Sequence, residues 1–214
     1  MAAGPTTKTT PTRKYSARMP RPERREQLLD AALAIVVDRG FGDLTMEGVA
    51  READIAKTVV YDAFGDREAM LDALLMRHQE RALALVASVV PEPPYKEGLG
   101  TLFVAGMTAF LEGVRDDPGT WRLIVIPQEG MPPAVRARVD KHREDARRQL
   151  EPIAAWLLGK AGAPDLDPEL MSHLIRGNAE YLARMTIEDP KRFSPDRLAG
   201  FAHDGLRALG APID

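Results

Sequence analysis

Hydrogen-bonding and charged side chains lie on the outward face of a short predicted helix between residues 57 and 64. This face consists of Lys57, Thr58, Val59, Tyr61 and Asp62. Val59 could pack on a thymine methyl group, and Asp62 could accept a hydrogen bond from N4 of cytosine, because both groups are exposed in the major groove. These residue types at helical spacing favour recognition of base edges.

Two helices of about eight residues, joined by a turn of three or four residues, must position this face. Val49, Ile55 and Val60 can form a small core between the two helices. Ala50 and Ala53 are small where the two backbones must approach each other. This arrangement is that of a helix-turn-helix, whose second helix enters the major groove of DNA.

The charge distribution supports contact with a polyanion at one end of the chain. Residues 1–25 carry seven basic side chains against Glu23 alone, a charge of +6, whereas the whole chain has a net charge of −3. The remainder is therefore at −9, and a basic arm on an acidic body fits contact with nucleic acid through the arm. Residues 1–20 hold little that can be buried, so we expect disorder when the protein is free. The alternative is that the basic N-terminal segment is only a solvated tail that contacts no nucleic acid.

Composition argues against catalysis and against metals. The chain has no cysteine, which excludes disulfides, thiolate nucleophiles and cysteine-based metal sites. His78, His142, His173 and His203 show no metal-ligand spacing, so we expect no metal, no cofactor and no enzymatic activity. No apolar run approaches the roughly 18 residues that span a bilayer, and the N-terminus lacks a signal-peptide core. We expect a cytoplasmic protein.

The fold class predicted by periodicity is all-α, with about nine helices, because no alternating stretch is long enough for a strand. Gly40-Phe41 should end the first helix, and Thr45 should cap the helix that follows. Pro152 should kink a long helix. Beyond the helix-turn-helix, the predicted helices run from about Asp66 to Val90, Glu97 to Arg115, Pro118 to Ile124, Ala134 to Lys160, Pro168 to Glu188 and Pro195 to Leu209.

Residues 22–75 resemble the DNA-binding domain of the TetR (tetracycline-repressor-like) family. The sequence departs from the family pattern at Asp54, where glycine is usual, and at Ala56, where serine or threonine is usual. Aspartate tolerates the left-handed turn better than most residues, and Asp54 could itself cap the second helix. The matching residues are Leu44-Thr45, Val49-Ala50, Ala53 to Lys57, Val60 to Phe64 and Asp66 to Ala69, with Ala31-Ala32 and Gly40-Phe41 upstream.

The resemblance implies roles for individual residues. Thr45, Tyr61 and Arg67 match positions that bind phosphate, and Lys57 matches a lysine that mainly contacts the DNA backbone. Thr58, Val59 and Asp62 match the face that reads bases. A purely structural role as a core aromatic remains open for Tyr61, and we expect that role for Phe64.

The C-terminal helices could enclose an apolar or aromatic ligand, because pockets of this kind combine apolar walls with a few polar groups. Plain core packing is the alternative for each candidate, and a satisfied buried histidine is the alternative for His78 and His142. The candidates are His78, Phe103, Met107, Phe110, Trp121, Met131, His142, Asn178, Tyr181 and Met185.

Small residues lie among large apolar ones in the last two predicted helices, and the resemblance implies that these helices form a dimeric four-helix bundle. The small residues are Gly177, Ala179, Ala183, Gly200, Ala202 and Gly205. The sequence thus predicts a disordered basic arm (1–20), a three-helix helix-turn-helix DNA-binding domain (21–68) and a helical ligand-binding and dimerisation domain (69–214).

The predicted function is that of a homodimeric repressor, released from an inverted-repeat operator in double-stranded DNA by a small apolar or aromatic effector. A DNA-binding regulator without a small-molecule ligand is the first alternative. An all-helical enzyme or interaction module is the remote one.

Overall fold

The computed structural model describes residues 19–89, 98–125 and 131–208. Within these ranges the regular structure is helical throughout, and no strand occurs in them. The all-α prediction is therefore confirmed. The described helices are α1 (Arg21–Arg39), α2 (Met46–Glu52), α3 (Lys57–Phe64), α4 (Arg67–Val89), α5 (Leu99–Asp116), α6 (Pro118–Val125), α7 (Pro133–Lys160), α8 (Pro168–Glu188) and α9 (Pro195–Ala208), with a 3-10 turn at Phe41–Asp43.

Local chemistry sets the helix boundaries largely as predicted. Gly40 adopts a φ of +84°, and Phe41 folds back into the core. The Thr45 hydroxyl accepts a hydrogen bond from the Gly48 N–H at 2.9 Å and caps α2. Asp66 caps α4 in the same way.

The turn between α2 and α3 keeps its shape despite both departures from the family pattern. Asp54 adopts a left-handed backbone with a φ of +52°. No side-chain hydrogen bond caps the start of α3 at Ala56, and its cap position is extended backbone. Asp54 therefore supplies the turn rather than a cap. Farther along, α7 continues through Pro152 without a break from Pro133 to Lys160.

The first core joins the three N-terminal helices to the beginning of α4. Val49 and Val60 pack in the same cluster as Leu71 and Leu74, and all four are fully buried. Side chains from α6 and α7 also reach this cluster, among them Val135. The boundary after residue 68 remains a prediction, because α4 contributes to the cores on both sides of it.

A second core lies within the C-terminal helices. Phe110 and Leu111 of α5 pack there with Trp121 of α6, Ala183 of α8 and Leu198 of α9. The rings of Phe110 and Trp121 meet edge to face, with centroids 4.9 Å apart. The body therefore has its own packed interior.

Arg67 fastens the start of α4 to the segment between α1 and α2. Its Nε donates to the carbonyl oxygen of Leu44 at 2.6 Å, and its Nη2 donates to that of Phe41 at 2.5 Å. Arg25 makes a similar tie, because its Nη1 donates to the Ala63 carbonyl oxygen at 2.6 Å. These two arginines hold the N-terminal three-helix unit together through backbone carbonyls.

We expect Arg67→Met to lower the free energy of unfolding by about 1.5–3 kcal/mol, the usual loss for hydrogen bonds that involve a charged group. Urea unfolding followed by circular dichroism measures this change. The control is Arg51→Met at an exposed position of α2. Equal stability of the two variants would contradict the bracing role of Arg67.

Candidate nucleic-acid interface and interior cavity

Helix α3 presents its polar face to solvent, as predicted. Lys57, Thr58, Tyr61 and Asp62 are exposed and Val59 is half-buried. On the opposite side Val60 and Phe64 are buried in the first core. Tyr61 is 40% exposed, which argues against a core role for its ring. The structure therefore brings all five predicted residues of α3 onto one accessible surface.

Lys57 is the cation of this surface and already has a partner. Its Nζ forms an ion pair with Glu47 of α2 and lies 5.4 Å from the centroid of the Tyr61 ring. The hydrogen bond with Glu47 raises the pKa of Lys57, and the same bond lowers the pKa of Glu47. A phosphate at this surface would compete with Glu47 for the ammonium group.

Two other predicted phosphate contacts differ in what they can offer. The exposed Thr45 hydroxyl accepts from Gly48, and its own hydrogen can still be donated to a ligand. Arg67 is half-buried, and its guanidinium group is turned toward the carbonyls of Phe41 and Leu44. The structure gives Arg67 a bracing role through Nε and Nη2, and its phosphate contact stays a prediction. The sequence could not show this role because the partners lie 23 and 26 residues away. Most of the basic arm, residues 1–18, lies outside the described residues.

A cavity of about 260 Å³ lies inside the C-terminal body, walled by α4, α5, α6, α7 and α8. Its surface is almost entirely apolar, and its size is close to the lower end of the roughly 300–1,000 Å³ typical of small-molecule sites. Seven of the ten predicted ligand candidates line it: His78, Phe103, Met107, Phe110, Trp121, Met131 and His142.

Asn178 and Tyr181 do not line this cavity, and their prediction as ligand contacts is wrong. Both are exposed, and Tyr181 has 63% of its surface accessible. The reason is the helical register of α8, in which Ala179 and Ala183 face inward on the opposite side. Met185 packs beside the second core and also lies outside the cavity wall.

His78 is held by hydrogen bonds on both ring nitrogens and is only 1% exposed. Its Nδ1 lies 2.6 Å from the Thr120 hydroxyl, which donates its hydrogen to Asp117 Oδ2. Nδ1 must therefore donate to Thr120, and Nε2 accepts from Arg77 Nη2 at 3.0 Å. This arrangement requires a neutral ring. Burial, assisted by the charges of Arg77 and Arg81, lowers the pKa of His78 to about 4.

The hydrogen-bonded chain through His78 extends to the N-terminal unit. Arg77 Nη1 forms ion pairs with Glu26 and Asp30 of α1 at 3.0 Å and 2.9 Å. At its other end the chain reaches Thr120 of α6. The cavity wall is thus connected to α1 through polar side chains as well as through packing.

The chain is similar to known proteins in both sequence and fold. The sequence model for bacterial regulatory proteins of the tetR family matches residues 28–74. The chain is 31% identical over 122 residues to the transcriptional activator FasR of Mycolicibacterium smegmatis, which covers 57% of this chain and 54% of FasR. Residues 28–74 are thus similar to the DNA-binding region of TetR-family regulators.

Other relatives match a shorter segment of the chain. The chain is 40% identical over 60 residues to the regulator BetI of Burkholderia thailandensis, which covers 28% of this chain and 30% of BetI. The aligned segments thus span about half of FasR and less than a third of BetI.

Solved structures of TetR-like proteins share the whole fold. A TetR-like transcriptional regulator from Rhodococcus sp. RHA1 superposes with a TM-score of 0.66 at 25% identity, covering 89% of this chain and 99% of that one. The fatty acid degradation regulator FadR of Bacillus halodurans gives a TM-score of 0.67 at 15% identity, covering 93% and 100%. The second likeness concerns the fold alone.

Two other features are absent from the part of the chain that the structure describes. Its helices include none with the length and apolar character of a membrane span. No cluster of histidine and carboxylate side chains in the same residues could hold a metal ion.

We expect His78 to make the stability of the protein depend on pH between about 4 and 6.5. The unfolded chain binds a proton to His78 in this interval and the folded chain does not, so the free energy of unfolding falls as the pH falls. A shift of this size corresponds to about 3 kcal/mol. Denaturant titrations of wild type and His78→Asn across this range measure the effect.

The difference between the free energies of unfolding of the wild type and of His78→Asn isolates the contribution of His78. The carboxylates contribute equally to both proteins and titrate mainly at lower pH. His173→Asn, at an exposed position of α8, is the control and should follow the wild type. A wild-type pH profile parallel to that of His78→Asn would show that His78 is not buried in the neutral form.

Proposed function

We propose that this chain is a sequence-specific DNA-binding transcriptional regulator of the TetR family. It would act as a homodimeric repressor, released from an inverted-repeat operator by a small apolar molecule in the cavity. The observation that carries the proposal is the exposed polar face of α3, presented by the three-helix unit that matches the family sequence model.

The α3 face supplies the groups that major-groove recognition requires. Lys57 and Tyr61 can contact backbone phosphates, as can Thr45 at the start of α2. Val59 and Asp62 can contact a thymine methyl group and cytosine N4. One helix fits a groove about 12 Å wide, so specific readout would rest on a few side chains per half-site.

Dimerisation would use an apolar face that this chain leaves uncovered on α8 and α9. Leu170, Leu174 and Tyr181 share one side of α8, and Phe201 of α9 is 78% exposed. A Cβ added at Gly177 would meet open space, which leaves room for a close helix contact. A two-fold dimer would present two α3 helices to half-sites about 34–36 Å apart.

Ligand release would operate through a shift between two conformers of the dimer. A molecule in the cavity touches α4, and α4 begins inside the first core. Binding that favours one placement of α4 would change the spacing of the two α3 helices. If the chain stays bound to its operator in the presence of every ligand tested, the alternative is favoured, namely a DNA-binding regulator that responds to no small molecule.

Binding-site selection from random duplexes tests the DNA-binding proposal. We expect an enriched inverted repeat, and we expect Lys57→Ala to weaken binding to all duplexes and to reduce the salt dependence by about one phosphate contact. Asp62→Asn should relax the preference at one base pair, at a cost of roughly 1–3 kcal/mol for the preferred sequence. Fluorescence anisotropy measures both.

Lys141→Ala is the matched control, because Lys141 is an exposed lysine on α7. It should bind the selected duplex like the wild type. If no sequence is enriched, or if Lys57→Ala and Lys141→Ala behave alike, the proposed DNA surface is wrong.

We expect Leu174→Glu to shift the chain from dimer to monomer, because a buried unpaired carboxylate is costly at an interface. Sedimentation velocity measures the molecular mass in solution. Met76→Glu places the same charge at an exposed apolar position of α4, and it should leave the dimer intact. A dimeric Leu174→Glu variant would locate the interface elsewhere.

A further inference from the structure

Arg143 of α7 places a cation in the wall of the apolar cavity. Its Nη2 donates to the carbonyl oxygen of Ile124 at 2.9 Å, and its Nε is buried with no hydrogen-bond partner. No ion pair involves Arg143 among the residues that the structure describes. A half-buried cation without a counterion is costly, and an anionic group bound in the cavity would offset its charge.

Two carboxylates close to Arg143 in the chain or on the cavity wall are engaged by other arginines. On the cavity wall Glu180 forms an ion pair with Arg176 at 2.5 Å. On α7 itself Glu144 binds Arg147 and Arg148, which lowers the pKa of its carboxyl group to about 2. Neither of these two carboxylates forms an ion pair with Arg143.

Helices α4 and α7 both line the cavity, and apolar side chains of α7 line it on both sides of Arg143. The starts of these helices are joined by a hydrogen bond from Arg138 Nε to Asp72 at 3.0 Å, and Arg143 follows about five residues later. His142 lies next to Arg143 on the wall. Farther along, Ile153 and Leu157 line the cavity about 15 Å and 21 Å beyond Arg143, from the rise of 1.5 Å per residue.

The walls contributed by α4 and α5 are also apolar. Val86 and Val89 of α4 line the cavity, together with Leu102 and Phe103 of α5. A ligand that matches these walls thus needs an extended hydrocarbon body, with an anionic group beside Arg143. A neutral aromatic ring would offer no negative charge to the Arg143 guanidinium.

We propose that the cavity binds a straight-chain fatty carboxylate. Its head group accepts charge-assisted hydrogen bonds from the Arg143 guanidinium, and its hydrocarbon chain lies between the apolar walls formed by α4, α5 and the distal part of α7. This proposal rests on the ligand cavity of the proposed function and names the chemical class of the ligand.

Isothermal titration of the full chain with dodecanoate and with dodecan-1-ol tests the proposal. The two probes share their hydrocarbon chain and differ in charge. We expect wild type to bind dodecanoate roughly ten- to a hundred-fold more tightly than the alcohol, the range that corresponds to hydrogen bonds with a charged group. Arg143→Gln should lose this preference and bind the two probes equally.

Arg148→Gln is the matched control, because Arg148 is an exposed arginine on the same helix. It should keep the wild-type preference for dodecanoate. Arg143→Lys should keep part of the preference, since lysine retains the charge but not the planar pair of donors. The wild-type comparison of acid and alcohol decides the proposal even if Arg143→Gln does not fold.

Equal binding of acid and alcohol by the wild type would overturn the fatty carboxylate and leave an apolar ligand cavity in place. Binding of neither probe would also overturn it. The same preparation should still bind the selected duplex, because the duplex would contact α3 and the probes would not. Duplex binding therefore distinguishes both of these results from a failure of the proposed DNA-binding function.

Discussion

Helix α4 belongs to two hydrophobic cores at once, and the rest of the structure depends on this constraint. Its first turns bury Met70, Leu71 and Leu74 against the N-terminal helices. Its later turns carry Ala82 and Val86 into the wall of the cavity. Because close-packed interiors tolerate few intermediate arrangements, a change in the cavity wall is felt at the other end of the same helix.

Helix α6 reinforces this link from a second direction. Thr120 accepts the hydrogen bond of His78, Leu123 packs in the first core, and Trp121 lines the cavity. A Cβ at Gly119 would lie 3.0 Å from Leu33 of α1, so α6 and α1 are in close contact. The cavity therefore meets the N-terminal unit along two helices, and the proposed ligand-dependent change at α3 would be transmitted through them.

The sequence predicts what short-range chemistry decides. The Thr45 cap, the Gly40 turn and the left-handed Asp54 each depend on residues a few positions away, and each is present. The exposed face of α3 also follows from local periodicity. What the sequence does not predict depends on distant partners. Periodicity alone does not decide which way Tyr181 faces, because α8 has apolar side chains on two sides and its packing against α5, α6 and α7 selects the inner one. The sequence does not point to Arg143 because its surroundings come from other helices.

The proposed function depends on whether this chain distinguishes one DNA sequence from others through α3. The decisive measurement is the ratio of its affinities for the selected duplex and for a scrambled duplex of equal length and composition, at the same salt concentration. Sequence-specific recognition should give a ratio of at least about a thousand, as is usual for specific regulators. A ratio near one, with both affinities falling in parallel as salt is added, would show binding to phosphates alone and would contradict recognition through α3.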